Sequence, residues 1–130
     1  MVAVKSFMVP REKFITVERD TDVQTAARIM RDRSIGSLFV TNGKEVIGIL
    51  TDTDMVRRVV AAGADTHKTT VEQVMSAPIL TIEENKTLLD ANDLMAKTHT
   101  RHLGVTQDGK LVGLISVRDL VLFLTNLPRK

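Results

Sequence analysis

The sequence predicts an α/β (α+β) fold built from two copies of one strand, helix, hairpin, helix unit, βαββα in order. Three observations carry this. Gly48-Ile49-Leu50-Thr51-Asp52-Thr53-Asp54 returns as Gly113-Leu114-Ile115-Ser116-Val117-Arg118-Asp119, and the residues around it return as well. Each copy alternates short apolar runs with segments of helical apolar spacing. Each also holds a hairpin signal between apolar runs, Asn42-Gly43 in the first and Asp108-Gly109 in the second. The expected organisation is a first repeat over 7–62, a linker over 63–70 and a second repeat over 71–127.

In order along the chain, Val4 to Pro10 reads as a short helical or irregular lead-in stopped by proline. Val71 to Pro78 repeats it. Short strands follow, Phe14-Ile15-Thr16-Val17 and Ile79-Leu80-Thr81-Ile82. The first helix of each repeat carries an apolar stripe at i, i+3, i+4 and i+7: Val23, Ala26, Ala27 and Met30, matched by Leu88, Ala91, Asn92 and Met95. Thr21-x-x-Gln24 supplies a capping box for the first of these. Asn42-Gly43 and Asp108-Gly109 then close hairpins as type I′ turns, in which both central residues need positive φ. The apolar runs beside them are nearly continuous, so these strands are covered on both sides. Gly48 and Gly113 relax a strand or admit a close neighbour. The closing helices carry Met55, Val56, Val59 and Val60, and Leu120, Val121, Leu124 and Leu127. Leu122 and Phe123 widen the second surface, which implies packing on the other repeat or on a second subunit.

Bulk properties narrow the function classes. With 130 residues and 43% hydrophobic content, the chain can bury a core, and two repeats of this size should share one. Net charge is +2, from 18 Lys and Arg against 16 Asp and Glu, which calls for no nucleic-acid partner. Cysteine is absent, so no disulfide or thiolate chemistry is available, and an intracellular, cytoplasmic protein fits best. No apolar run approaches the roughly 18 residues that span a bilayer, and the N-terminus lacks signal-peptide architecture. Tyr and Trp are absent, which disfavours base-stacking platforms.

The chemistry concentrates where the strand meets the last helix of each repeat. Thr51-x-x-Asp54 and Ser116-x-x-Asp119 read as capping boxes, with the acid at the positive end of the helix dipole. A carboxylate there can also accept the hydroxyls of a ribose, and free helix-start amides favour a phosphate. One Asp can do both, so the two readings stay open together.

This order of elements, given twice with Gly-h-h-[Thr or Ser]-x-x-Asp at each hairpin-to-helix junction, resembles the cystathionine β-synthase (CBS) domain. Two in tandem resemble a CBS pair, or Bateman module, and the resemblance covers Phe7 to about Leu127. It implies two repeats packed by pseudo-two-fold symmetry, with a regulatory rather than catalytic role. It implies adenosine ligands such as AMP, ADP, ATP or S-adenosylmethionine in one or both clefts between the repeats. By the same resemblance Thr51 and Asp54 serve one cleft and Ser116 and Asp119 the other, with Ile49 and Leu114 facing the base. Each cleft takes its adenine wall from the opposite repeat. Asp119 works with Val9, Phe14, Ile15 and Ile35, and Asp54 with Ser76, Ile79, Leu80 and Thr100.

Arg101-His102 stands where the first copy has Gly36-Ser37, a place where family members often put phosphate-contacting basic residues. The better site is therefore expected at Asp54 with Ser76, Arg101 and His102. The alternative is a merely solvated strand entrance. His99 and His102 lack a third ligand for zinc, and Arg57-Arg58 and Arg129-Lys130 read as solvent-facing. Met30 and Met95 read as core. No Ser, His and Asp triad and no phosphate loop is present, so no enzyme and no catalytic cofactor is expected. The leading expectation is a homodimeric nucleotide sensor acting on an unidentified effector protein. A ligand-free dimerisation scaffold is the alternative, with a nucleic-acid-binding protein disfavoured.

Overall fold

The structure, a computed structural model, describes residues 2–126. A 3-10 turn at Val4–Ser6 precedes β1 (Val9–Pro10), a second 3-10 turn at Arg11–Lys13, β2 (Thr16–Glu18), α1 (Val23–Arg33), β3 (Ser37–Asn42) and β4 (Glu45–Thr51). α2 (Asp52–Asp54) runs on as a π-helical segment, Met55–Val60. Then come α3 (Val71–Val74), β5 (Thr81–Glu83), α4 (Leu88–Thr98), β6 (His102–Gln107), β7 (Lys110–Ser116) and α5 (Val117–Thr125). The mixed fold and the βαββα order, given twice, are those expected.

The strands form two sheets, β2-β3-β4 and β1-β7-β6-β5. In each, a short strand runs parallel to the first hairpin strand, β2 on β3 and β5 on β6, and the hairpin strands pair antiparallel. The short strands begin later than their apolar runs. Ile15 O and Leu80 O accept from Phe39 N and Gly104 N, but regular pairing starts only at Thr16 and Thr81.

Three local expectations are corrected. The first hairpin turns at Gly43-Lys44, because Asn42 is paired with Glu45; Gly43 has φ +62° and Asn42 stays in the strand. A glycine at the first central position suits the II′ turn, whereas Asp108-Gly109, with φ 51° and 80°, meets the I′ requirement. The N-cap of α1 is Asp22, whose Oδ1 accepts from Thr25 N at 2.8 Å. Gln24 does not close a box with Thr21, since its Oε1 accepts from Thr66 Oγ1 at 2.7 Å. In the π-helical segment Val59 is buried, yet Val56 and Val60 are 62% and 75% exposed. Burial thus falls on one edge of the expected stripe, and Val56 and Val60 leave its other edge in solvent.

The chain divides into two compact units that cut across the sequence repeats. Among the described residues, one joins 2–14 with 80–126, and the other is Ile15–Ile79. Two clusters of buried residues stand out, one in each unit. Val17, Val23, Ala26, Met30, Leu38, Val40, Leu50 and Val59 close over Val71 and Val74, while Ile82, Ala91, Met95, Leu103, Val105, Ile115 and Leu120 close over Val4. Each repeat's core is thus completed by the lead-in segment that precedes the other repeat. The backbone repeats this exchange: Val4 N donates to Lys86 O at 2.7 Å and Lys5 N to Glu84 O at 3.0 Å, while Val71 N donates to Thr21 O at 2.8 Å and Glu72 N to Arg19 O at 3.2 Å.

Candidate functional site

Both strand-to-helix junctions are formed, and both are complete capping boxes. Thr51 at the end of β4 is extended, with φ −115°, and its hydroxyl accepts from Asp54 N at 3.2 Å. Asp54 Oδ2 accepts in return from Thr51 N at 3.0 Å and Thr51 Oγ1 at 3.1 Å. At the end of β7, Ser116 Oγ accepts from Asp119 N at 3.2 Å, and Asp119 Oδ2 accepts from Ser116 N at 2.9 Å and Ser116 Oγ at 3.0 Å. Each acid sits on the first turn of its helix, where the helix dipole favours negative charge.

A short strap lies beside each junction, supplied by the exchanged lead-in segment. Val9 of β1 pairs antiparallel with Leu114, and Ser76 makes the same kind of bridge with Ile49. Ile49 N donates to Ser76 O at 3.0 Å, and Ser76 N to Ile49 O at 2.8 Å. Gly113 and Gly48 are where the strap crosses. A Cβ at Gly113 would collide with the Met8 thioether and one at Gly48 with that of Met75, so a bare backbone is needed at both places.

The junctions differ in what the strap brings to the acid. Ser76 Oγ reaches Asp54, 2.9 Å from Oδ1 and 3.1 Å from Oδ2, and Arg58 Nε lies 3.8 Å from Oδ1. Arg58 Nη1 also donates to Met75 O at 2.9 Å. The Asp54 side chain is 7% exposed. Beside Asp119 the strap residue is Val9, which has no donor on its side chain. Phe123 takes the place of Arg58 and packs on Phe7 with ring centroids 5.4 Å apart. Among the described residues, Asp119 Oδ1 has no hydrogen-bond partner.

Of the residues expected around Asp54, Ile49, Thr51, Ser76 and Ile79 belong to the same compact unit as the acid, and Leu80, Thr100, Arg101 and His102 to the other. Within that other unit His102 pairs with Ser116, Arg101 O accepts from Val117 N at 3.0 Å, and Thr100 Oγ1 donates to His102 O at 3.2 Å. Of those expected around Asp119, Val9, Phe14, Leu114 and Ser116 share its unit, while Ile15 and Ile35 pack against the core of the Ile15–Ile79 unit. Among the described residues no cluster of His, Cys, Asp and Glu could hold a metal ion. No described helix is long and apolar enough to cross a membrane.

The family model for the CBS domain matches twice, over residues 4–61 and 71–126. The chain belongs to the CBS domain family. It is similar to the CBS domain-containing protein YhcV of Bacillus subtilis, 34% identical over 107 residues that make up 82% of this chain and 76% of that protein. A conserved protein of Pyrococcus horikoshii has the same fold, with a TM-score of 0.87 at 28% identity, covering 99% of this chain and 96% of that one. CBSX2, solved in complex with AMP, shares the fold with a TM-score of 0.79 at 23% identity, covering 99% of this chain and 100% of that one. The chain spans 53% to 76% of the length of four relatives that are 31% to 36% identical to it. CBS pairs are in general regulatory, ligand-sensing modules.

The sequence reading of the CBS junctions missed Met8, Met75 and Arg58. The methionines lie outside any periodic stripe, and only the repeated Met-[Val or Ser] before each proline hinted at them. Arg58, read as solvent-facing, has a 53% exposed side chain but is tied to Asp54 and to the Met75 carbonyl.

Proposed function

We propose that this CBS pair is a regulatory module that binds an adenosine nucleotide of the AMP, ADP or ATP class and modulates a partner protein by doing so. The observation that carries the reading is the junction at Asp119. An apolar strand delivers a hydroxyl and a carboxylate to the start of a helix of nine residues, and one carboxylate oxygen is left to accept a ribose hydroxyl. Leu114 and Val9, paired beside it, supply apolar surface of the kind a base requires. The AMP complex of CBSX2 is consistent with this ligand class.

The output requires an effector, and binding signals only if it favours one arrangement of the module over another. Val56 and Val60 on the π-helical segment and Val121, Leu122 and Leu124 on α5 are half-exposed or more. Apolar faces of this kind fit self-association into a homodimer. Light scattering is expected to give twice the chain mass; a monomeric mass overturns the dimer.

Because both capping boxes are complete, a ligand-free dimerisation scaffold is the competing reading. A thermal-shift series with AMP, ADP, ATP and S-adenosylmethionine separates the two. A ligand present at 100 times its Kd adds about 2.7 kcal/mol of stability. No shift with any of the four leaves only the scaffold.

A further inference from the structure

The two junctions of this chain are built alike and finished differently, with Ser76 on the strap and Arg58 on the helix standing against Val9 and Phe123. A carboxylate has about four acceptor positions. At Asp54 they are taken by the Thr51 amide and hydroxyl and by the Ser76 hydroxyl, which spans both oxygens, with the Arg58 guanidinium alongside. The Ser76 hydroxyl occupies the position in which a ribose hydroxyl would donate. Its backbone is held in place beside the acid, bridged in both directions to Ile49, with the preceding carbonyl held by Arg58. At Asp119 the corresponding strap residue is Val9, which offers no hydroxyl, and Oδ1 is left over.

We propose that Ser76 is an internal occupant of Asp54. The chain itself then closes that junction to a ribose, and each chain binds one nucleotide, at Asp119. This rests on the nucleotide reading above and reverses the preference expected from Arg101 and His102 at Asp54. It makes residue 76 the determinant of ligand stoichiometry: a donor at that position substitutes for the ligand, and a residue without one leaves the acid available.

Isothermal titration of the full chain with AMP tests this. The expected result is one AMP per chain, with Asp119→Asn weakening binding by about tenfold or more, the scale of one lost hydrogen bond to a charged group. Ser76→Ala is expected to raise the stoichiometry to two, and adding Asp54→Asn to it to return the value to one. Two AMP per chain in the unaltered protein, or one in Ser76→Ala, overturns the inference. Hydrogen exchange in the absence of any nucleotide tests the contact itself. Ser76→Ala is expected to speed exchange of the amides at positions 49 and 76 by about tenfold. Unchanged exchange overturns the role of Ser76; faster exchange with no AMP heat in any variant overturns the nucleotide reading instead.

Discussion

Ser76 donates its hydroxyl to Asp54 across 22 positions of sequence, 2.9 Å from one carboxylate oxygen and 3.1 Å from the other. In the other unit Val9 is bridged to Leu114 as Ser76 is to Ile49, and nothing on its side chain donates to Asp119. One residue on a short strap, together with Arg58 where the other helix has Phe123, therefore separates two junctions that are capped in the same way.

That contrast predicts unequal costs for removing the two acids' charges. Asp54→Asn disturbs bonds from Thr51 and Ser76 and the ion pair with Arg58 in a side chain only 7% exposed, whereas Asp119→Asn disturbs bonds from Ser116 alone. The expected outcome in urea unfolding is that Asp54→Asn is more destabilising by about 1–2 kcal/mol, the worth of the additional charge-assisted bond. Equal costs would mean that the Ser76 contact contributes nothing to folding.

The methionine straps predict a coupled pair of substitutions. Gly113→Ala forces the Met8 thioether and its neighbouring methylene aside, and Gly48→Ala does the same to Met75. Overpacking of this kind costs about 1–3 kcal/mol. Shortening Met8 in the Gly113→Ala background should recover part of that loss, so that the double substitution costs less than the sum of the two single ones in a double-mutant cycle. Additive losses would place the strain elsewhere.

The exchange of lead-in segments predicts where damage appears. Val4 is fully buried in the core of the unit that holds β6 and β7, although it precedes the first repeat in sequence. Val4→Ala is expected to cost about 2 kcal/mol by loss of two buried carbons and the cavity they leave. Hydrogen exchange should accelerate in β6 and β7 before β3 and β4; acceleration confined to β3 and β4 would contradict the assignment.

The helix caps predict an acid limb of stability. The Thr87 amide, donating to Asp90 at 2.9 Å, holds that carboxyl below its ordinary value of 3.8, and the Thr25 amide does the same for Asp22. A carboxyl whose folded value lies below its unfolded one stabilises fully above the unfolded value and loses that contribution as pH falls through the folded value. The melting temperature should therefore begin to drop near about pH 4 and keep falling below it. Asp90→Asn should lower the plateau and flatten the fall, and an unchanged slope would remove Asp90 from the account.

The repeat, the order of its elements and the hydroxyl-to-acid pairs were all legible in the residues. Helical stripes such as Val23, Ala26 and Met30, and turn glycines such as Gly109, act within a few positions of themselves. Local periodicity and capping depend on neighbours in the chain, so they can be read from neighbours in the chain. The turn at Gly43-Lys44 was misplaced by one residue, because register is set by the partner strand and not by the dipeptide. The exposure of Val56 and Val60 was not legible, because periodicity marks which residues share a face and not what covers that face.

Tertiary structure alone decided which core each lead-in segment completes, and that Ser76, Arg58 and Met75 meet around Asp54. Nothing in the composition of either repeat marks Val4 as belonging with Ile115 or Val71 with Leu50. Such contacts join residues far apart in the chain, and their free energy comes from shape and hydrogen-bond geometry that exist only once the sheets are assembled. The same applies to the spare oxygen of Asp119: the acid is written in the sequence, but whether it is already occupied depends on the residue that folding lays beside it.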